Sequence, residues 1–268
     1  RGSRNGQLYV NSLLAARPAH MAEIGKLNLD LNRLSEEIVK IQDTKPNVAM
    51  LYSINSLAWS PIHQNAMYNA YAAVGNNGQK VEFIDETQID KLSEFNILII
   101  PSAVAVSQEV FNAIKTFSDR GGQILIIDEA SLTKDEYGKD LNESERRNIF
   151  AKAMVIPVTY DGTIIDDLST EKILAGADKL ISDNELDAII IKDAATGTKL
   201  EDAEWLYVAE EDGYIINLCR YSYETTDVEI YINGVKVEAV TDLKNRKIIN
   251  GIINLEGYTP MLLKVSVR

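Results

Sequence analysis

Cysteine is nearly missing from this chain of 268 residues: Cys219 stands alone. A single thiol excludes an internal disulfide framework and any metal site built on several thiolates. It does not fix the compartment, though the cytoplasm is favoured over secretion. Histidine is almost as scarce, His20 and His63 only, and neither histidine spacing nor acidic clustering suggests a metal. No apolar run approaches the ~20 residues needed to cross a bilayer. No apolar segment follows Arg1 to Arg4, as a signal peptide requires. The abrupt polar start fits a piece cut from a longer chain. Gly-x-Gly-x-x-Gly and P-loop patterns are missing, so no cofactor is expected. Basic residues are outnumbered by acidic ones, 27 to 40, for a net charge of −13. That balance argues against nucleic acid and disfavours an anionic membrane surface as partner.

What the chain does have is a repeated punctuation. Val48 to Tyr52, Lys80 to Ile84, Asn96 to Ile100 and Gln123 to Ile127 are short bursts rich in apolar residues. Helix-length amphipathic stretches lie between them. Such bursts read as buried parallel strands with crossover helices. Ser107 is placed to cap the helix that buries Val110, Phe111, Ile114 and Phe117, and Gly121 to end it. A further helix is expected from about Asn142 to Met154. Before the first burst, Ile24, Leu27, Leu31, Leu34, Ile38 and Ile41 recur at spacings of three and four. They predict one long helix from about Pro18 to Gln42. Two readings of its stripe stay open: it lies along its own domain, or part of it meets another subunit.

After about residue 155 the texture changes. Helix signals thin out, apart from Thr170 to Leu180, and short alternating segments take over, such as Trp205 to Ala209 and Tyr214 to Cys219. Asn233 and Gly234 form a strong hairpin signal. An antiparallel sandwich is expected. The fold class is therefore α/β: a flavodoxin-like parallel-sheet domain with a long N-terminal helix, followed by an antiparallel β-sandwich domain. The expected division is 1–44 connector and helix, 45–155 α/β domain, and 156–268 sandwich.

A parallel sheet places its chemistry at the carboxyl ends of its strands. Candidate nucleophiles there are Ser53, Ser102 and Ser107, but no glycine-framed elbow surrounds them. His20 and His63 lie near helix starts, with nothing in the sequence pairing either to a serine. Cys219 reads as a small buried hydrophobe. Asp85 with Glu86, and Asp128 with Glu129, fall at strand ends, where they are solvated loop acids or jointly line a crevice. Neighbours on a strand point to opposite faces, so neither doublet is a catalytic pair in itself. Trp59 and Trp205 suit sugar stacking or, more commonly, a core or interface. No catalytic, cofactor-binding or metal-ligating residue is assigned.

The block from Asn47 to Ser53, through the Gly121–Gly122 turn, to Ile127 resembles the middle domain of family 42 glycoside hydrolases. This is the β-galactosidase trimerisation domain, with a class I glutamine-amidotransferase-like fold. The passage from Arg17 and Pro18 to Leu34 looks like the exit from that family's catalytic barrel, and the last ~60 residues look like its C-terminal sandwich. The resemblance implies a homo-oligomer, a trimer, and a catalytic barrel as partner. A barrel needs ~250 residues, which those before Arg17 do not supply. An amidotransferase needs a cysteine after a strand, where this chain has Pro101, Ser102 and Ala103. The expected role is a non-catalytic scaffold of a β-galactosidase-like enzyme. A free-standing binding protein and a divergent hydrolase using Ser53 or Ser102 are the alternatives.

Overall fold

The structure, a computed structural model, describes residues 17–266. The connector expected over residues 1–16 lies outside the described residues. The four bursts form β1 (Val48–Leu51), β2 (Val81–Ile84), β3 (Ile97–Pro101) and β4 (Gln123–Ile127). A short fifth strand, β5 (Met154–Ile156), pairs in parallel with β4, where the sequence suggested only the end of a helix. The order is β2-β1-β3-β4-β5, all parallel. This is the flavodoxin-like arrangement.

The helices are α1 (Pro18–Arg33), α2 (Ser35–Asp43), α3 (Ile54–Trp59), α4 (His63–Gly75), α5 (Gln108–Asp119), α6 (Glu143–Lys152) and α7 (Asp167–Asp183). Ser107 caps α5 by accepting from the Val110 N–H. Strand periodicity sorts the core into two layers. Ala49, Leu51, Leu98 and Ile100 face α5 and α6, whose Phe111, Ile114, Phe117 and Ile149 cover them. Val48, Met50, Ile97 and Ile99 face α4 and α7, whose Ala66, Ala70, Ile173 and Ala177 cover them. Because α7 packs on this sheet, the α/β layer runs on to Asp183.

After a two-residue ladder of β6 (Tyr160–Asp161) and β7 (Ile164–Ile165), the second part is built from short strands. These are β8 (Ile189–Asp193), β9 (Ala203–Glu210), β10 (Gly213–Arg220), β11 (Thr226–Ile232), β12 (Val235–Lys236), β13 (Ala239–Asp242), β14 (Lys247–Asn250), β15 (Ile253–Leu255) and β16 (Met261–Ser266). They form two antiparallel sheets, one ordered β14-β13-β16-β10-β9, the other joining β8, β12 and β15 through β11. Ile191, Trp205, Ile216, Leu218, Val228 and Leu263 fill the space between them. Asn233 and Gly234 turn the β11–β12 hairpin with φ of 49° and 79°, the left-handed pair a type I′ turn requires.

The long N-terminal helix is interrupted at Leu34, whose φ and ψ are −105° and 14°. The break divides its stripe between two environments. Leu34, Ile38 and Ile41 pack on Ile215, Leu262, Leu206 and Val208, the outer face of the larger sandwich sheet. Arg33 fastens the junction by donating to the carbonyls of Leu243 (2.8 Å) and Lys244 (3.0 Å). The other half, α1, buries no residue: Ile24, Leu27, Leu29 and Leu31 are exposed, Leu29 by 70%.

Candidate functional site

The carboxyl ends of the strands gather Ser53, His63, Glu86, Ser102 and Asp128, and each is already engaged. Ser53 caps α3, its Oγ accepting from the Ser56 N–H at 3.1 Å. The same Oγ lies 2.9 Å from the Ala105 carbonyl and 3.1 Å from Glu86 Oε1, the acceptors open to its proton. Ser56 binds that loop as well: its Oγ donates to the Ala105 carbonyl (2.6 Å) and accepts from the Ala105 N–H (3.0 Å). Two serines thus hold the turn after β3 against α3.

Ser102 is the residue that immediately follows β3, and it has φ of 49°. A left-handed residue on a strand-to-helix turn is where α/β hydrolases place a nucleophile. Here the side chain has no solvent exposure, and its Oγ donates to Asp128 Oδ2 at 2.9 Å. Asp128 is itself left-handed, at φ 75°, and accepts the Ala130 N–H through Oδ1 at 2.9 Å.

His63 approaches the serines without serving them. Its Nδ1 lies 2.5 Å from the Pro101 carbonyl and its Nε2 3.2 Å from the Ser53 backbone nitrogen. The Nδ1–H tautomer satisfies both contacts, leaving Nε2 as acceptor. Burial pushes its pKa below the usual histidine value, against the opposing effects of the Pro101 carbonyl and the Glu86 charge. A neutral ring with both nitrogens occupied is not a base for Ser53 Oγ or Ser102 Oγ.

Asp85 accepts from the Thr87 N–H and hydroxyl at 2.8 and 2.6 Å, and these bonds hold its carboxyl below the usual range. His20 sits exposed on α1. Cys219 is half-buried, its thiol pushed up by burial. Trp205 is core, whereas Trp59 is half-exposed on α3. No group of three or more His, Cys, Asp or Glu side chains able to hold a metal ion occurs among the described residues.

A second region, not foreseen from sequence, lies at the β2 edge. Tyr52, Leu57, Gln64, Met67, Tyr68, Tyr71 and Phe83 line a groove of about 730 Å³. Gln64, Met67, Tyr68 and Tyr71 share one face of α4 at spacings of three, four and seven. The signal was present in that spacing, but it reads equally well as core.

A flavodoxin-like parallel sheet joined to a two-sheet antiparallel sandwich is the class of protein these observations define, and among the described residues Ser53, Ser102 and His63 at its strand ends are held by other partners. No protein-family model matches the sequence, and no curated protein matches it. Solved structures share the fold. An exo-carrageenase GH42 from Bacteroides ovatus aligns with TM-score 0.70 and 18% identity over 89% of this chain and 31% of its own. A β-galactosidase from Bacillus circulans sp. alkalophilus aligns with TM-score 0.63 and 13% identity over 92% of this chain and 45% of its own. A β-galactosidase from Rahnella sp. R3 aligns with TM-score 0.59 and 13% identity, covering 84% and 41%. The chain therefore spans less than half the length of these glycoside hydrolases, and at such identities the likeness is one of fold.

Proposed function

We propose that this chain is a non-catalytic region of a β-galactosidase-like glycoside hydrolase, one that scaffolds a catalytic barrel and holds copies together. The observation that carries the reading is α1, sixteen residues long with none buried, displaying Ile24, Leu27 and Leu31 to solvent along one face. Its continuation α2 is anchored on the sandwich, so α1 is presented on a fixed base. Contiguous exposed apolar surface of this kind marks an interaction site. Its association is driven by ~25 cal/mol per Å² of apolar area removed from water.

The occupied hydrogen bonds of Ser53, Ser102 and His63 support a scaffold over a divergent hydrolase. The fold shared with part of several GH42 enzymes supports a glycoside hydrolase as the parent over a free-standing scaffold. The resemblance of residues 47–127 to the β-galactosidase trimerisation domain makes a trimer the assembly proposed. Sedimentation equilibrium across a wide concentration range tests the role. A mass rising toward three chains is expected, and a strictly monomeric mass at hundreds of micromolar removes it.

A further inference from the structure

Beyond that reading, the groove at the β2 edge has the chemistry of a ligand site. Phe83 pairs in register with Met50 of β1, and Met50 is wholly covered while Phe83, one strand further out, is 43% exposed. The helix that covers β1 and β3, α4, covers the edge strand only in part, and Phe83 keeps an open side. Tyr71 lies nearly parallel to the Phe83 ring, at 15° with centroids 6.1 Å apart. Tyr68 and Tyr52 extend the aromatic wall.

These rings are held in place. Tyr71 Oη donates to Glu204 Oε1 at 3.3 Å, and Tyr221 Oη to Glu204 Oε2 at 2.9 Å. One carboxylate from β9 thus pins a tyrosine from each half of the molecule. Gln64 Nε2 donates to Tyr68 Oη at 3.1 Å. The Tyr221 hydroxyl is pushed up to about 12 by burial and by Glu204, so it stays a donor at neutral pH.

We propose that this groove binds a neutral β-linked oligosaccharide. A pyranose with equatorial substituents offers an apolar C–H face, and ring faces carry the negative side of the aromatic quadrupole that attracts it. The phenol oxygens and the Gln64 amide supply the few polar contacts that orient a ligand in a mainly apolar cleft, whose volume lies in the ordinary range for small-molecule sites. No cationic side chain lines the groove. With Glu204 beside it and a net charge of −13, sulfated or carboxylated sugars are repelled.

The test is a titration of the whole chain, followed by two-dimensional NMR, with cellotetraose, a β-1,4-glucan whose ring substituents are all equatorial, to about 10 mM. Saturable shifts are expected at the groove residues. Tyr68→Ala and Phe83→Ala should each weaken binding by about tenfold or more, in protein whose spectrum shows it still folded. Tyr223→Ala, which changes an exposed ring that does not line the groove, should leave binding as it was. No saturable shift by the highest concentration overturns the proposal, as does equal binding of a heparin tetrasaccharide. If the two groove variants instead lower the sedimentation mass and sugar shifts are absent, the groove belongs to a second copy, and the proposal fails.

Discussion

Trp205 of the sandwich lies directly over Gly78 of the α/β unit. A β-carbon on Gly78 would come within 2.1 Å of the indole nitrogen. That nitrogen donates to the Ile189 carbonyl at 3.1 Å, so the ring has no freedom to withdraw. Gly78 also has φ of 69°, which side-chain-bearing residues adopt at a cost. Nearby, Lys199 Nζ reaches Asp178 Oδ1 (2.6 Å) and Asn77 Oδ1 (2.8 Å), joining the same two halves.

Gly78→Ala should therefore combine strain with overpacking and destabilise by about 2–5 kcal/mol. Gly121→Ala is the comparison: its φ is 92°, but nothing lies within 4 Å of the added carbon. It should cost only about 1 kcal/mol. Urea unfolding of both variants separates the clash from the strain. Equal losses would show that the indole yields.

Stability should fall as the solution is acidified from pH 7 toward 5.5, with His63 as the cause. Its folded pKa is lowered, while the unfolded value is ~6.5. Below that value the unfolded chain binds the proton and the folded chain resists it, so stability present above ~6.5 is lost as pH falls through the folded pKa. Protonating Nε2 also destroys the acceptor for the Ser53 N–H. Asp85, Asp166 and Asp193, held low by their hydrogen bonds, add to the loss only near pH 4 and below. A His63→Gln variant should have a flatter profile over this window. Direct NMR titration of the His63 ring checks the same point if that variant folds poorly, and a ring pKa at or above 6.5 would sink the account.

The turn at Ser102 should tolerate glycine better than alanine. Ser102→Ala keeps a β-carbon at φ 49° and strips Asp128 of its hydroxyl partner, at about 1–3 kcal/mol. Ser102→Gly loses the same bond but relieves the backbone, regaining about 1 kcal/mol. Neither should alter turnover of chromogenic β-galactosides or glutamine, because none above blank is expected from the parent chain. Activity that survives repurification and disappears in Ser102→Ala would reverse the scaffold reading.

The parts of the fold that the sequence disclosed are those set by local rules. Four bursts became four strands, Ser107 became a cap, and Asn233 with Gly234 became a hairpin. The break at Leu34 was hidden because the apolar stripe runs through it unchanged. Strand β5 has three half-buried residues directly after a helix, with no turn chemistry to announce it. The destination of α7 was illegible too, since an amphipathic helix does not name the sheet it will cover. At the strand ends, His63 is consumed by the Pro101 carbonyl and the Ser53 N–H. Backbone atoms leave no signature in composition or spacing. Tyr71 and Tyr221 meet Glu204 across 133 and 17 residues, a convergence that only the packed halves create.

We propose that the chain divides at 184–188, between the end of α7 and the start of β8, where Glu185 is exposed at φ 56°. Brief digestion with a glutamate-specific protease should nick there first. The two pieces should stay together on gel filtration, because Trp205, Lys199 and Arg33 hold contacts across the sequence break. First cuts inside β1 to β4 would contradict the division.

The two halves of the N-terminal stripe should respond to mutation in opposite ways. Leu27 is 56% exposed and Leu31 is exposed as well, whereas Leu34 and Ile41 are buried against Ile215 and Leu262. Leu27→Glu together with Leu31→Glu changes side chains that are only half covered in the isolated chain, so its stability at low concentration should hold within about 1 kcal/mol. At an interface the same charges would be desolvated without partners, so association should weaken by about a hundredfold or more. Ile41→Ala should do the reverse, lowering stability by about 2–5 kcal/mol through the cavity left under α2. It should leave assembly intact wherever the chain is folded. Analytical ultracentrifugation paired with urea unfolding reads both quantities on the same samples. If the double glutamate variant assembles as the parent does, the α1 face is not where copies meet, and its exposed leucines are then a feature with no role in this oligomer.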